Sequence, residues 1–263
     1  MDHNRKVVNK WIVRPQPRLG ARYQLICFPQ AAGNAWSFFN LAEKLPADIE
    51  LYAIQYPGHG DRLGEEPLRD CHTMVKEISQ SLAPELDRPY ALFGHSMGAI
   101  LAFETGRLLP AVGCPPAAQI VVSGYDAPGE PTIPDPSPPM HELTDAQLLE
   151  RIEALECTPR EVLEDPEMQT LLLRMIRADS AVCSSHTCSD TPPIKSPITA
   201  FGGRDDPRTS EEGLRRWQQY TSSQFDLQWF PGSHGFLLAH EDLFQQRLLN
   251  VLRKERKEPH AYK

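Results

Sequence analysis

The chain has 263 residues, a length that suits one large α/β or all-β unit with a sizeable core. Its 27 Lys and Arg stand against 35 Asp and Glu, and the formal charge of −8 disfavours sequence-independent binding of nucleic acid. The 24% charged and 40% hydrophobic fractions exclude a disordered chain, and no apolar run reaches the ~18 residues that a membrane span needs.

The first 22 residues are polar and basic, with six Lys or Arg against one acid, and read as a loosely packed arm; no apolar secretory segment follows the basic start, which predicts a cytoplasmic protein. Beyond the arm, apolar runs alternate with helical patterns. Strands are predicted at 23–28, 49–55, 90–93 and 119–123. Between them lie helices at 36–45, at the Met74, Ile78, Leu82 and Leu86 stripe, and at 97–109. This alternation predicts a mostly parallel sheet with helices on both faces. The rhythm breaks at 127–139, where six of thirteen residues are proline and neither a helix nor a central strand can continue. Helical patterns follow at 143–155, opened by Thr144-Asp145, and at 166–183. The strand and helix rhythm then resumes at 197–201, 211–220, 225–230 and 241–254. The chain is thus expected to be a single domain over 1–263, carrying a helical lid insertion over 127–193.

The chemistry concentrates in loops that follow predicted strands. Gly94-His95-Ser96-Met97-Gly98 is a G-x-S-x-G pattern between a predicted strand and a predicted helix. That is the context a nucleophile elbow needs, and it marks Ser96 as the nucleophile. A serine requires a positioned base oriented by an acid, in the chain order Ser, acid, His. His234, in Pro231-Gly232-Ser233-His234-Gly235 between the last strand and the last helix, fits the base. Two places compete for the acid: Asp126 at the end of one strand, and Asp205-Asp206 after Gly202-Gly203. The turn Phe28-Pro29-Gln30-Ala31-Ala32-Gly33 fits the second half of an oxyanion hole, the first half being the Met97 amide. Gly58-His59-Gly60 reads as a turn at a strand end, with His59 solvated or structural. The six cysteines, at positions 27, 71, 114, 157, 183 and 188, show neither zinc nor redox spacing and read as reduced thiols. No metal site and no cofactor are expected.

Several blocks in this order resemble the type II thioesterases that accompany nonribosomal peptide and polyketide synthases. The resemblance covers about 23–250. It rests on Cys27-Phe28-Pro29-Gln30-Ala31-Ala32-Gly33, Gln55-Tyr56-Pro57-Gly58-His59-Gly60-Asp61-Arg62, Phe93-Gly94-His95-Ser96-Met97-Gly98-Ala99, Leu171-Leu172-Leu173-Arg174-Met175-Ile176-Arg177-Ala178-Asp179, Phe201-Gly202-Gly203-Arg204-Asp205-Asp206-Pro207 and Pro231-Gly232-Ser233-His234. It implies an α/β-hydrolase fold with a helical lid. The implied activity is hydrolysis of acyl or peptidyl thioesters on the phosphopantetheine arms of carrier-protein domains, by a monomer without nucleic-acid or membrane partners. Residue by residue, it places the nucleophile on Ser96, the base on His234, the acid on Asp206 and the oxyanion amides on Met97 and Ala31. The chain departs from the family where Gln30 and Ala32 replace the His and first Gly of Phe-Pro-His-Ala-Gly-Gly. It departs again in the lid, where Leu155-Glu156-Cys157-Thr158-Pro159 lacks the usual Gly-Gly, and at the base, where Ser233 and Gly235 flank His234. A general carboxylesterase or lipase, or a catalytically silent carrier-docking module, would share most of these features. Because carrier proteins are generally acidic, Arg14, Arg18 and Arg22 of the arm are the basic residues that docking would be expected to use.

Overall fold

A computed structural model describes residues 7–129, 138–154, 158–187 and 192–255. The strands are β1 (Val7–Asn9), β2 (Ile12–Val13), β3 (Tyr23–Phe28), β4 (Ile49–Ile54), β5 (Tyr90–His95), β6 (Gln119–Ser123), β7 (Ile198–Gly203) and β8 (Phe225–Phe230). They form one sheet in the order β1-β2-β4-β3-β5-β6-β7-β8. The two N-terminal strands pair antiparallel and every pair from β4 through β8 is parallel. Every residue of β3, β4, β5, β6 and β7 is buried, as strands covered on both faces must be, whereas β8 at the edge is half-exposed. The chain leaves β3 toward β4 on one side and crosses to β5 on the other. The carboxyl ends of β3 and β5 therefore flank the point where the winding reverses, which is where open α/β sheets form a crevice.

The helices are α1 (Phe39–Lys44), α2 (Cys71–Leu82), α3 (Met97–Leu108), α4 (Asp145–Ala154), α5 (Arg160–Glu164), α6 (Pro166–Ser185), α7 (Glu211–Arg215), α8 (Phe236–Ala239) and α9 (Glu241–Glu255). The stripe of Met74, Ile78 and Leu82 on α2 packs with Ile100 and Phe103 of α3 on one face of the sheet. Phe244 and Leu248 of α9 join Leu41, Phe93 and Phe201 on the other face. A third core, of Leu143, Leu148, Ile152, Leu172 and Leu173, comes from the helical segment between β6 and β7, with Ala32 of the loop after β3 packed against it. Thr144 opens α4 as expected: its hydroxyl accepts from the Gln147 amide, while the Gln147 side chain accepts from the Thr144 amide. Residues 130–137 of the proline-rich stretch, Leu155, Glu156, Cys157 and Cys188 lie outside the described residues. Cys27, Cys71 and Cys114 are free thiols.

The N-terminal arm is not loose. From Val7 onward it adds two strands to the edge at β4, and Trp11 is only 2% exposed beneath the guanidinium of Arg62, 4.6 Å from the ring centre. Arg14 lies inside the protein, where its Nε donates to Glu50 Oε1 at 2.7 Å and its terminal nitrogen reinforces the pair. Arg18 donates to the carbonyls of Ala42, Leu45 and Pro46 at the end of α1. Both side chains hold the arm, Arg14 buried and Arg18 half-buried, while Arg22 is exposed. Glu50 is fully buried, and removing it would strand the Arg14 charge. We therefore expect Glu50→Leu to cost about 3–5 kcal/mol, a fall in Tm of about 6 °C or more in thermal denaturation. An unchanged Tm would show that the pair does not anchor the arm.

Candidate active site

At the end of β5 the chain turns into α3 through Ser96, whose φ of 54° and ψ of −124° lie outside the regions that L-residues favour. The flanking glycines make the turn possible. A Cβ on Gly94 would stand 1.9 Å from the Gly98 carbonyl oxygen, and one on Gly98 would stand 2.2 Å from that of Phe28. The turn is fastened when the Ser96 amide donates to the Ser123 carbonyl at 2.8 Å. It leaves the Ser96 hydroxyl above the sheet, at the N-terminus of α3, where the first amides have no acceptor within the helix.

The loop after β8 brings His234 to this hydroxyl. Ser96 Oγ donates to His234 Nε2 at 3.1 Å, and His234 Nδ1–H donates to Asp206 Oδ2 at 2.9 Å. The carboxylate can only accept, so it fixes the tautomer that leaves Nε2 free to take the serine proton. Asp206 sits in the turn after β7, where its other oxygen accepts from the Arg208 amide at 2.9 Å. Burial pushes the Asp206 carboxyl upward, but the hydrogen bond and charge of His234 and the Arg208 amide outweigh it and hold the group below the ordinary carboxylate range. The rival acids point elsewhere. The Asp126 carboxylate accepts from the amide and hydroxyl of Ser210 at the start of α7, and Asp205 is exposed. Ser96, His234 and Asp206 are brought together, and Asp126 and Asp205 are not.

His95 has a part that the sequence reading missed. Its Nε2–H donates to the His234 carbonyl at 3.0 Å, and its Nδ1 accepts from the Ser123 hydroxyl at 3.0 Å. Burial, with the neighbouring His234 charge, lowers its pKa to about 3, so it stays neutral beside a second imidazole 5.0 Å away. A histidine inside a strand whose other positions are buried was the available signal.

Ala31 and Met97 both line a cavity of about 920 Å³ whose floor is Ser96 and His234. That volume suits a small-molecule site. Its far wall is apolar and comes from the helical segment: Ile152, Val162, Leu171, Met175 and Ile176. In the loop after β3, the Gly33 amide donates to the Gln30 carbonyl and the Ala32 amide to Asp179 of α6, so two of the three amides from Ala31 to Gly33 are engaged. Tyr56 fastens the same loop, its hydroxyl donating to the Pro29 carbonyl at 3.0 Å. His59 is fully buried and structural rather than solvated. Asp179 was also missed. It falls in register with Leu172, Met175 and Val182 on one face of α6, and an acid on an apolar face signals a buried partner. Among the described residues, no group of three or more His, Cys, Asp or Glu side chains is placed to hold a metal ion, and no helix is long and apolar enough to cross a membrane.

Comparison with known proteins accords with this architecture. The chain is 36% identical over 230 residues to the gramicidin S biosynthesis protein GrsT of Aneurinibacillus migulanus, covering 88% of this chain and 89% of GrsT. Among solved structures, the type II thioesterase BorB from the borrelidin biosynthetic cluster matches with a TM-score of 0.83 at 32% identity, over 92% of this chain and 97% of BorB. The RedJ thioesterase of the prodiginine pathway in Streptomyces coelicolor matches with a TM-score of 0.81 at 32% identity, over 91% of this chain and 92% of RedJ. The thioesterase domain family matches residues 23–254. This chain accordingly belongs to the thioesterase domain family, as an α/β-hydrolase acting on thioesters and akin to the type II thioesterases of nonribosomal peptide and polyketide biosynthesis.

Proposed function

We propose that the chain hydrolyses acyl or peptidyl thioesters carried on the phosphopantetheine arms of carrier-protein domains, through an acyl-enzyme on Ser96. The observation that carries this reading is the continuous hydrogen-bonded line from Ser96 through His234 to Asp206 at the floor of an apolar cavity. His234 takes the hydroxyl proton as Ser96 Oγ attacks the thioester carbonyl, and Asp206 stabilises the imidazolium that forms. The amide of Met97, and that of Ala31, the one left among the three loop amides, stabilise the oxyanion. Collapse of the tetrahedral intermediate releases the pantetheine thiol. His234 then activates a water that attacks the acyl-serine, and the acid is released. A thiolate leaves more readily than an amine, so protonating the leaving group matters less here than in a protease. The acyl chain occupies the apolar wall, and the helical segment with its separate core serves as a lid.

The test is release of acyl groups from acylated carrier protein. We expect Ser96→Ala to lower turnover by about 10³-fold or more, because the members of such a line act as a unit. Asp206→Asn should cost at least about a hundredfold through loss of the tautomer, and Asp126→Asn less than about tenfold. Residual turnover above a tenth in Ser96→Ala would remove the nucleophile, and a crippling Asp126→Asn would move the acid to the earlier strand. Wild type that cleaves nitrophenyl esters while leaving acylated carrier protein intact would overturn the substrate.

The lid makes a separate expectation. In hydrogen exchange, amides of α4 and α5 should exchange well before those of β5, because their core is small and apart from the sheet. Equal protection would argue against a mobile cover.

A further inference from the structure

The loop that carries Ala31 is held from the helical segment. Asp179, in the C-terminal half of α6 and with no solvent exposure, accepts the Ala32 amide at Oδ2 over 2.7 Å. The same oxygen lies 3.0 Å from His59 Nε2, while His59 Nδ1 lies 2.9 Å from the Pro57 carbonyl oxygen. A carbonyl and a carboxylate can only accept, so both ring nitrogens of His59 must carry protons when Asp179 is ionised. Burial works against charge on His59, yet the hydrogen bond and charge of Asp179 and the Pro57 carbonyl outweigh it and hold its pKa above the ordinary imidazole range. The other groups facing the pair do not supply this proton. Arg174 of α6 opposes the charge on His59. Tyr56, whose ring meets His59 edge-on at 5.8 Å, is kept neutral by burial and by Asp179, with the Cys183 and Cys71 thiols adding to the same effect.

Ala32 makes the attachment consequential. Its φ is 57°, in the left-handed region that a Cβ disfavours, and it is one of two described non-glycine residues there, the other being Ser96. Such a conformation persists only where its surroundings impose it. We infer that Asp179 is a positioning residue that holds the Ala31–Ala32 peptide in place for the oxyanion, and that it does so as the carboxylate of a buried pair with the His59 imidazolium. This rests on Ala31 acting as an oxyanion donor. Because the His59 pKa is raised on folding, the pair is complete below the ordinary imidazole value and is lost as pH rises through the raised one. Loss of the proton leaves the ring one N–H for two acceptors and removes the positive charge beside the carboxylate, so one contact of the pair is lost and its hold on the loop weakens.

The full chain and a small acyl-pantetheine thioester suffice for the test. ¹⁵N NMR of wild type at pH 7 should show both His59 ring nitrogens protonated; one bare nitrogen would overturn the pair. Asp179→Leu should lower kcat by at least about tenfold with KM within about twofold, the pattern of an interaction made in the transition state. In Asp179→Asn the oxygen at the shared position accepts from the Ala32 amide and from Nε2–H of a neutral His59, with no carboxylate charge to hold a second proton on the ring. This variant should therefore keep kcat within about threefold of wild type and lack the alkaline fall in kcat. Adding Ala32→Gly to Asp179→Leu should restore at least about threefold, since glycine holds the left-handed conformation without help. Unchanged kcat in Asp179→Leu, an alkaline limb that survives in Asp179→Asn, or no recovery with Ala32→Gly would each overturn the positioning role, and the recovery arm guards against a variant that merely misfolds. Failure of the reaction scheme would show separately, as thioester turnover by Ser96→Ala, and leaves the NMR result to judge the pair.

Discussion

Most of the site follows from how closely two pieces of backbone approach each other. The start of α3 lies so near the carboxyl end of β3 that no side-chain atom fits on Gly98. That contact lets Ser96 adopt its strained turn, and it brings the N-terminus of α3 beside the loop that follows Phe28. Met97, that loop and Ser96 then line the same cavity. Everything else arrives at this point from strands added to the same side of the sheet: His234 from the end of β8, Asp206 from the end of β7. Parallel pairing puts all these carboxyl ends at one rim, so residues 28, 96, 206 and 234 meet although the chain between them is long.

Three buried histidines near the rim show how partners, rather than residue type, set protonation. His95 has one acceptor and one hydroxyl around it and is driven neutral by burial. His234 has a carboxylate on one side and a hydroxyl on the other, which assigns one nitrogen as donor and the other as acceptor. His59 faces two oxygen acceptors, and they outweigh burial and hold its pKa above the ordinary imidazole range. A cationic His95 would place a second charge against His234 and would have no acceptor for its Nδ1–H except the Ser123 hydroxyl, so its neutrality keeps the rim free of a competing proton.

What could be read from sequence was whatever is encoded locally. The strands from β3 to β7 are largely apolar runs with isolated polar residues, α2 carries a four-residue stripe, and Gly94, Ser96 and Gly98 lie within five positions of one another. The acid was harder, because Asp126 and Asp206 both end strands and only the Ser210 contacts, 84 residues from Asp126, show that Asp126 is occupied elsewhere. The arm was misjudged for a related reason. β1 and β2 are three and two residues long, too short for a periodic signal, and what fixes them is pairing with β4 and the Arg14–Glu50 contact, which joins residues 36 apart. The Asp179 contacts span 120 and 147 residues, and no local pattern in the chain reports them beyond the oddity of an acid on an apolar face.

The separate core of the helical segment has an evolutionary consequence. Leu143, Leu148, Ile152, Leu172 and Leu173 pack against one another and not into the two layers that support the sheet, while neighbours such as Val162 and Ile176 form the cavity wall. Substitutions that widen, shorten or reshape that wall are absorbed within a small, self-contained cluster and leave Ser96, His234 and Asp206 undisturbed. Descendants of one scaffold can thus diversify in what they accommodate without reinventing how they cut. The C-terminal half of α6 is where the two parts meet: Val182 packs into the core beside α2 and α3 and Asp179 holds the amide of position 32, so substitutions there are felt at the site.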